Sequence, residues 1–450
     1  MCPLLSLPWL TEGGRRPYAP SGTTRRTFPA LWQAGFSSDM GNTLRSQADC
    51  IISAAISAVM PDAAVIRALE GVSFPGKVIL VAAGKAAWQM AKAAHDCLGS
   101  RISAGIVITK YHHIKAPIAD FQCWEAGHPI PDSNSFAATQ AALDLVSGLR
   151  EQDTVLFLLS GGGSALFEKP LISGAELQDI TAQLLASGAE ITEINTVRKR
   201  LSSVKGGKFA QACAPAKVFS IVLSDIIGDP LDMIASGPAC PDSSTCAQAK
   251  EIAEKYALTL SPGAMQCLNV ETPKTLSNVT TQITGSVREL CAAAASAARE
   301  LGYETHILTD ELNCQAREAG AFLASIARTH SGRGRRLAFI AGGETVVKLT
   351  GNGKGGRNQE LALSAAVGID ALEKTCIFSI GSDGTDGPTD AAGGYVDGTT
   401  AQTLRDLGIR ISDVLQNNDA YHALRKGNGL IFTGPTGTNV NDVAVVLLDG

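Results

Sequence analysis

Two apolar runs of this chain end on aspartates and three end in glycine turns. Asp225 and Asp229 close "IVLSDIIGDP", and Asp383, Asp386 and Asp390 follow one another through "FSIGSDGTDGPTD". Carboxylates on glycine-rich loops at strand ends are how α/β enzymes hold Mg²⁺ against phosphates or seat a general base. Aspartate beside Gly or Pro is also ordinary turn chemistry. The glycine turns are "VAAGKAAW", with Gly84 and Lys85, "LLSGGGSALF", with Ser160, Gly161, Gly162, Gly163 and Ser164, and "FIAGGETVV", with Glu344. A fourth cluster, "LTGNGKGGRNQE", carries Lys354 and Arg357. A glycine turn that opens a helix presents backbone N–H groups and the positive end of the helix dipole. Glycine also lets a ligand approach the backbone closely. Any one such turn could be a plain crossover whose glycines serve packing. Several together, two with a cation, favour an anion, so Gly161–Gly163 are expected to cradle a phosphate or carboxylate.

Familiar signatures narrow the chemistry. No G-x-x-x-x-G-K-[ST] occurs, which excludes a P-loop enzyme. "GGGSAL" lacks the last glycine of a nucleophile elbow, because position 166 is leucine. Ser160 and Ser164 therefore read as hydroxyl donors to an anion. Gly351, Gly353 and Gly356 spell G-x-G-x-x-G, but late in the chain and without a well-placed acid about 20 residues on. The basic run Arg198, Lys199, Arg200, Lys205 and Lys208 is either a solvated face or part of a binding site for an anionic substrate. His128 reads as loop chemistry or as a structural hydrogen bond. Adjacent His112 and His113 would point apart in a strand and so make a poor shared metal site.

Positioning these groups takes an α/β framework. From residue 43, apolar strand-sized runs alternate with helical patterns, which predicts a mostly parallel sheet covered on both faces. An irregular polar stretch from about 239 to 280 is the expected boundary, and a second α/β set follows it. The division read is 1–39 as an extension, 40–280 as a Rossmann-like domain and 281–450 as a second α/β domain. The extension is rich in Pro, Ser, Thr and Arg, and reads as a disordered extension or a start codon set too early, since Met40 precedes the first helix, or, less well given its prolines, as a mitochondrial transit peptide. A net charge of −5 gives no case for nucleic acid, and no apolar run approaches the roughly 20 residues that cross a bilayer. Eleven scattered cysteines suit a reducing, cytoplasmic compartment.

Seven strings in order, among them "VAAGKAA", "AGHPIPDSNS", "NTVRKRLSSVKGGKFA", "LSDIIGDPLDMIASGP" and "AGGETVVKLTGNGKGGRNQELAL", resemble class II glycerate kinases. These are glycerate 2-kinases with a C-terminal MOFRL domain, here about 335–448, and members are often labelled hydroxypyruvate reductases. The resemblance covers roughly residues 43 to 448. It implies a larger Rossmann-like domain, a smaller MOFRL domain and an active site in the cleft between them. It also implies transfer of the γ-phosphate of ATP to the 2-hydroxyl of D-glycerate with Mg²⁺, so the partners expected are small molecules; a homodimer is left open, since the sequence does not set the oligomeric state. Carried over residue by residue, Lys85 and Arg357 would be the essential cations. Asp225 would orient or deprotonate the 2-hydroxyl, with metal binding as its other role. Asp386 and Asp390 would assist Mg²⁺. Gly84, Ser160, Gly161, Gly162, Gly163, Ser164, Arg198, Lys205, Glu344 and Asn358 would face substrate or ATP. The competing class is an NAD(P)H-dependent hydroxypyruvate reductase, motivated by Gly351, Gly353 and Gly356. A non-catalytic binder would predict loss of Lys85, Asp225 or Arg357, and all three are present.

Overall fold

A computed structural model describes residues 43–450, so the reading of the 1–39 extension lies outside the described residues. Six apolar runs form the first sheet: β1 (Val78–Ala83), β2 (Ile102–Lys110), β3 (Phe121–Ala126), β4 (Thr154–Leu159), β5 (Lys217–Val222) and β6 (Val279–Ile283). All pairs are parallel, in the order β3-β2-β1-β4-β5-β6. This is the Rossmann order, whose direction of winding reverses between β1 and β4, where the crevice for a ligand opens at the carboxyl ends. Every residue of β1 and β4 is buried, as suits near-continuous apolar runs covered on both faces. Their last residues, Ala83 and Leu159, are in register, so the turns at Gly84 and Ser160 emerge side by side.

The second sheet contains β7 (Glu304–Leu312), β8 (Arg336–Gly343), β9 (Thr375–Gly381), β10 (Gly393–Asp397), β11 (Leu430–Ile431) and β12 (Asp442–Asp449), in the order β11-β10-β9-β12-β8-β7. Here the parallel expectation fails. Only β7 and β8 run parallel, while β12 lies antiparallel between β8 and β9. Helical and strand periodicity fix what an element is, but not which way a late strand returns. The boundary also moves. Residues 239–280 hold the helices Cys246–Lys255 and Pro262–Cys267 and lead into β6. The chain passes to the second sheet only after Ile283.

One apolar core joins both sheets. It takes Leu80 and Leu156 from the first, Ile340, Phe378 and Val445 from the second, and between them Ile51 and Ala55 of the helix Leu44–Ala58 and Leu290 of the helix Val287–Glu300. The first helix also reaches the second sheet directly, through Arg45 Nη2 donating to Leu430 O at 3.0 Å. A separate cluster of Phe157, Phe167 and Phe209, with ring centroids 4.8–5.5 Å apart, clamps both ends of the turn after β4.

Candidate active site

The turns after β1 and β4 are stitched to each other. Lys85 N donates to Gly161 O at 2.8 Å, and Ala86 N donates to Ser160 Oγ at 3.1 Å. Gly84 has φ +123°, and a Cβ there would stand 2.3 Å from Ser160 Oγ. Ser160 is thus a buried brace between turns, where the sequence reading made it a ligand contact.

The three glycines prove to make room for this chain's own side chains. A Cβ on Gly161 would lie 2.1 Å from Asp225 Oδ2. One on Gly162 (φ +85°) would lie 3.0 Å from the His128 ring and 3.2 Å from Lys85 Cγ, and one on Gly163 2.7 Å from Ala235 Cβ. The expected anion cradle is therefore filled in part by Asp225 and His128. Behind the turn, Lys205 is fully buried and donates to Ser164 O at 2.9 Å, with Glu168 Oε2 at 3.4 Å. Burial lowers its ammonium to about 8. The reading of Lys205 as a substrate contact is corrected, because its buried ammonium is spent on Ser164 O, Phe167 O and Glu168. Arg198 shares the first of these, with Nη2 on Ser164 O at 3.0 Å, but its Nε finds no acceptor among the described residues.

On the open side stand Lys85, Asp225 and His128. No hydrogen-bond or ion-pair partner reaches Lys85 Nζ, nor does any donor beyond its own amide reach the Asp225 carboxylate, among the described residues. Burial pushes the Asp225 carboxyl above its ordinary range. Lys85 opposes the rise, and Glu344, across from it on the second sheet, adds to it. Burial, then Lys85, lowers the His128 imidazole. The two sheets therefore face each other here, and Ile227, from the loop after β5, lines the same cleft as Glu344 and Arg357.

The second wall is built on the first turn of the helix Arg357–Gly368. Arg357 donates through Nε and Nη2 to both oxygens of Asp442 (2.6 and 3.1 Å), and through Nη1 to Glu344 Oε1 at 2.8 Å. Asp442 was not singled out from the sequence. The one clue was an acid heading the apolar run of β12, which a second aspartate, Asp449, closes. Asp386 is buried and accepts from Asn358 N (3.1 Å), Asn358 Nδ2 (3.2 Å) and Gln359 N (2.9 Å). The helix end that was expected to bind an external anion already holds an internal one, and Gly356 is glycine because its Cβ would lie 2.3 Å from Asp386 Cγ. Burial raises Asp386 to about 6. Asp390 is exposed and accepts from Tyr421 Oη at 2.7 Å, with Lys354 and Arg425 nearby. Both oxygens of Asp386 are committed and Asp390 sits among cations, so the assignment of Mg²⁺ to this pair is corrected. Among the described residues no group of three His, Cys, Asp or Glu side chains is placed to hold a metal. Asn358, with Oδ1 accepting from Ser379 Oγ, is interior rather than ligand-facing. Gly351 and Gly353 also serve packing, since a Cβ on either would fall 2.4–2.5 Å from Asn417 backbone atoms. The observation that motivated a reductase thus has a structural explanation.

Along this second wall lies a cleft of about 950 Å³, to which the first sheet's side contributes Ile227. A Rossmann-ordered sheet that brings an unpaired ammonium and a half-buried carboxylate to its switch point, facing a braced guanidinium, defines an α/β cleft enzyme for small anionic substrates. By sequence the chain belongs to the glycerate 2-kinase family. The model of a domain of unknown function (DUF4147) matches residues 47–269, and that of the MOFRL family matches residues 337–442. The D-glycerate 2-kinase of Thermotoga maritima is 53% identical over 90% of this chain and 99% of its own. The glycerate 2-kinase of Pyrococcus horikoshii is 42% identical over 88% and 96%. A crystal structure of the Thermotoga glycerate kinase superposes with a TM-score of 0.86, covering 90% of this chain and 99% of that one. Hydroxypyruvate reductase occurs among the relatives only as a provisional name, at 37–38% identity in Agrobacterium vitis.

Proposed function

We propose that this chain transfers the γ-phosphoryl group of ATP to the 2-hydroxyl of D-glycerate, giving 2-phosphoglycerate and ADP. The observation that carries the reading is that Lys85 and Asp225 stand together on one wall, with Glu344 of the facing wall, which Arg357 holds, close enough to raise the Asp225 carboxyl, in a chain whose relatives are named for this reaction. Asp225 accepts the 2-hydroxyl hydrogen, and its raised proton affinity brings it nearer the operating pH of a general base. The hydroxyl oxygen then bonds to the γ-phosphorus, the bond to the β,γ-bridging oxygen breaks, and ADP leaves. Lys85 neutralises the group in transit from the first sheet. Arg357, oriented by Asp442 and Glu344, does so from the second. Gly161 leaves room for Asp225 against the turn, while Gly161 O and Ser160 Oγ, accepting from Lys85 N and Ala86 N, fix the backbone that carries Lys85.

Mg²⁺ suits the carboxylates present. It takes one or two of them and completes its shell with phosphate and water oxygens, so a three-residue cage is not needed. Glu344 and Asp383 line the cleft, and each keeps one carboxylate oxygen without a partner among the described residues, so these two would hold it. When bound it supplies charge neutralisation on the phosphates. The compartment is read as reducing and cytoplasmic. The scattered spacing of the cysteines supports this reading. No single described helix is long and apolar enough to cross a membrane. Steady-state ADP release tests the reading. It should require D-glycerate, and Lys85→Ala and Asp225→Asn should each lower kcat by on the order of 100-fold or more. Wild-type turnover in either variant contradicts the assigned roles.

A further inference from the structure

Thr345 is left unexplained by the acceptor chemistry. It lines the cleft at 4% exposure, and its hydroxyl has no hydrogen-bond partner among the described residues. Buried hydroxyls are otherwise almost always paired, so this orphan, shut off from solvent as it stands, has no internal bond to break in turning toward a ligand atom in the cleft. Arg357, twelve residues on, spends three of its five N–H donors on Asp442 and Glu344, which leaves two. Beyond this polar end the wall turns apolar. Val346 is 52% and Leu349 79% exposed, and Ile227 lines the same cleft from the first sheet. The apolar strip is held rigid. Asn418 Oδ1 accepts from Thr350 N (2.7 Å) and Gly351 N (3.0 Å), its Nδ2 donates to Lys348 O (3.1 Å), and Val346 N donates to Cys314 O.

A fixed apolar strip running into a hydroxyl and two guanidinium donors matches a ligand with a flat apolar head and an anionic tail. We propose that the adenine nucleotide is seated on the second sheet, its base on Val346 and Leu349 and its terminal phosphates at Thr345 Oγ1 and the two unengaged N–H groups of Arg357. The assignment rests on the phosphotransfer reading and leaves Lys85, Asp225 and His128 to the acceptor.

Calorimetric titration of the full chain with ADP, without glycerate, tests it. Thr345→Val keeps the shape and removes the hydroxyl, and Leu349→Ser alters a side chain too exposed to matter for folding. Each is expected to weaken ADP binding and raise the KM for ATP about tenfold, as the loss of one stacking or hydrogen-bonding contact does. The KM for D-glycerate should stay within about twofold, and Thr345→Ser should restore nucleotide affinity. If wild type binds ADP and neither variant weakens it, the nucleotide sits elsewhere while the kinase reading stands. If wild type binds neither ADP nor ATP, both fall together.

Discussion

At the scale of single residues, Gly161 and Asp225 act as one device. The carboxylate occupies the space a Cβ at 161 would need, 2.1 Å from Oδ2, and the backbone there is in no left-handed region that alanine would resist. Gly161→Ala should therefore fold normally and misplace the base. The expected loss in kcat is about 100-fold, with a melting temperature within a few degrees of wild type. A variant with full turnover would separate Asp225 from the chemistry. The same carboxylate sets an acid limit. A base must be ionised, so kcat/KM should fall as pH drops through the Asp225 pKa, which burial and Glu344 have raised. The acid limb is therefore expected above the ordinary carboxylate range. A limb within that range would mean that another group titrates. Asp225 was legible in the sequence because it ends a long apolar run. His128 and Asp442 were not, since their roles come from a loop and a strand brought in from distant parts of the chain.

At the scale of elements, the helix Arg357–Gly368 illustrates how a correct pattern led to a wrong occupant. Glycines before a helix do mark an anion site, and the anion proves to be Asp386. Asp386→Ala should remove a helix cap and leave buried donors unpaired, which costs about 1–3 kcal/mol. The shift of the urea midpoint measures it, and an unshifted midpoint would show that the cap contributes nothing. The interior strands β1, β4, β5, β8 and β9 were readable as apolar runs. The edge strands β3 and β6 were missed. They are only partly buried and carry polar residues ("FQCWEA", "VTTQI"), so neither periodicity nor hydropathy separates them from loops.

At the scale of the whole molecule, the apolar core shared by both sheets decides how the chain folds. The helix Leu44–Ala58 comes first in sequence yet packs with the helix Val287–Glu300 and bonds to β11. A fragment ending at residue 284 should consequently lack a cooperative thermal transition, because it strips Ile51 and Ala55 of their partners. A sharp transition in that fragment would show the first sheet to be autonomous. That two α/β sets face each other across a cleft was legible from the order of motifs. The antiparallel return of β12 and the sharing of the first helix were not, because both depend on long-range packing that local pattern does not encode.

The most direct test of the central claim is the ³¹P spectrum of the products formed from D-glycerate, ATP and Mg²⁺. A phosphomonoester coupled to the proton on C2, appearing only with all three components, is the predicted result. A C3 ester, or no transfer to glycerate at all, would contradict it.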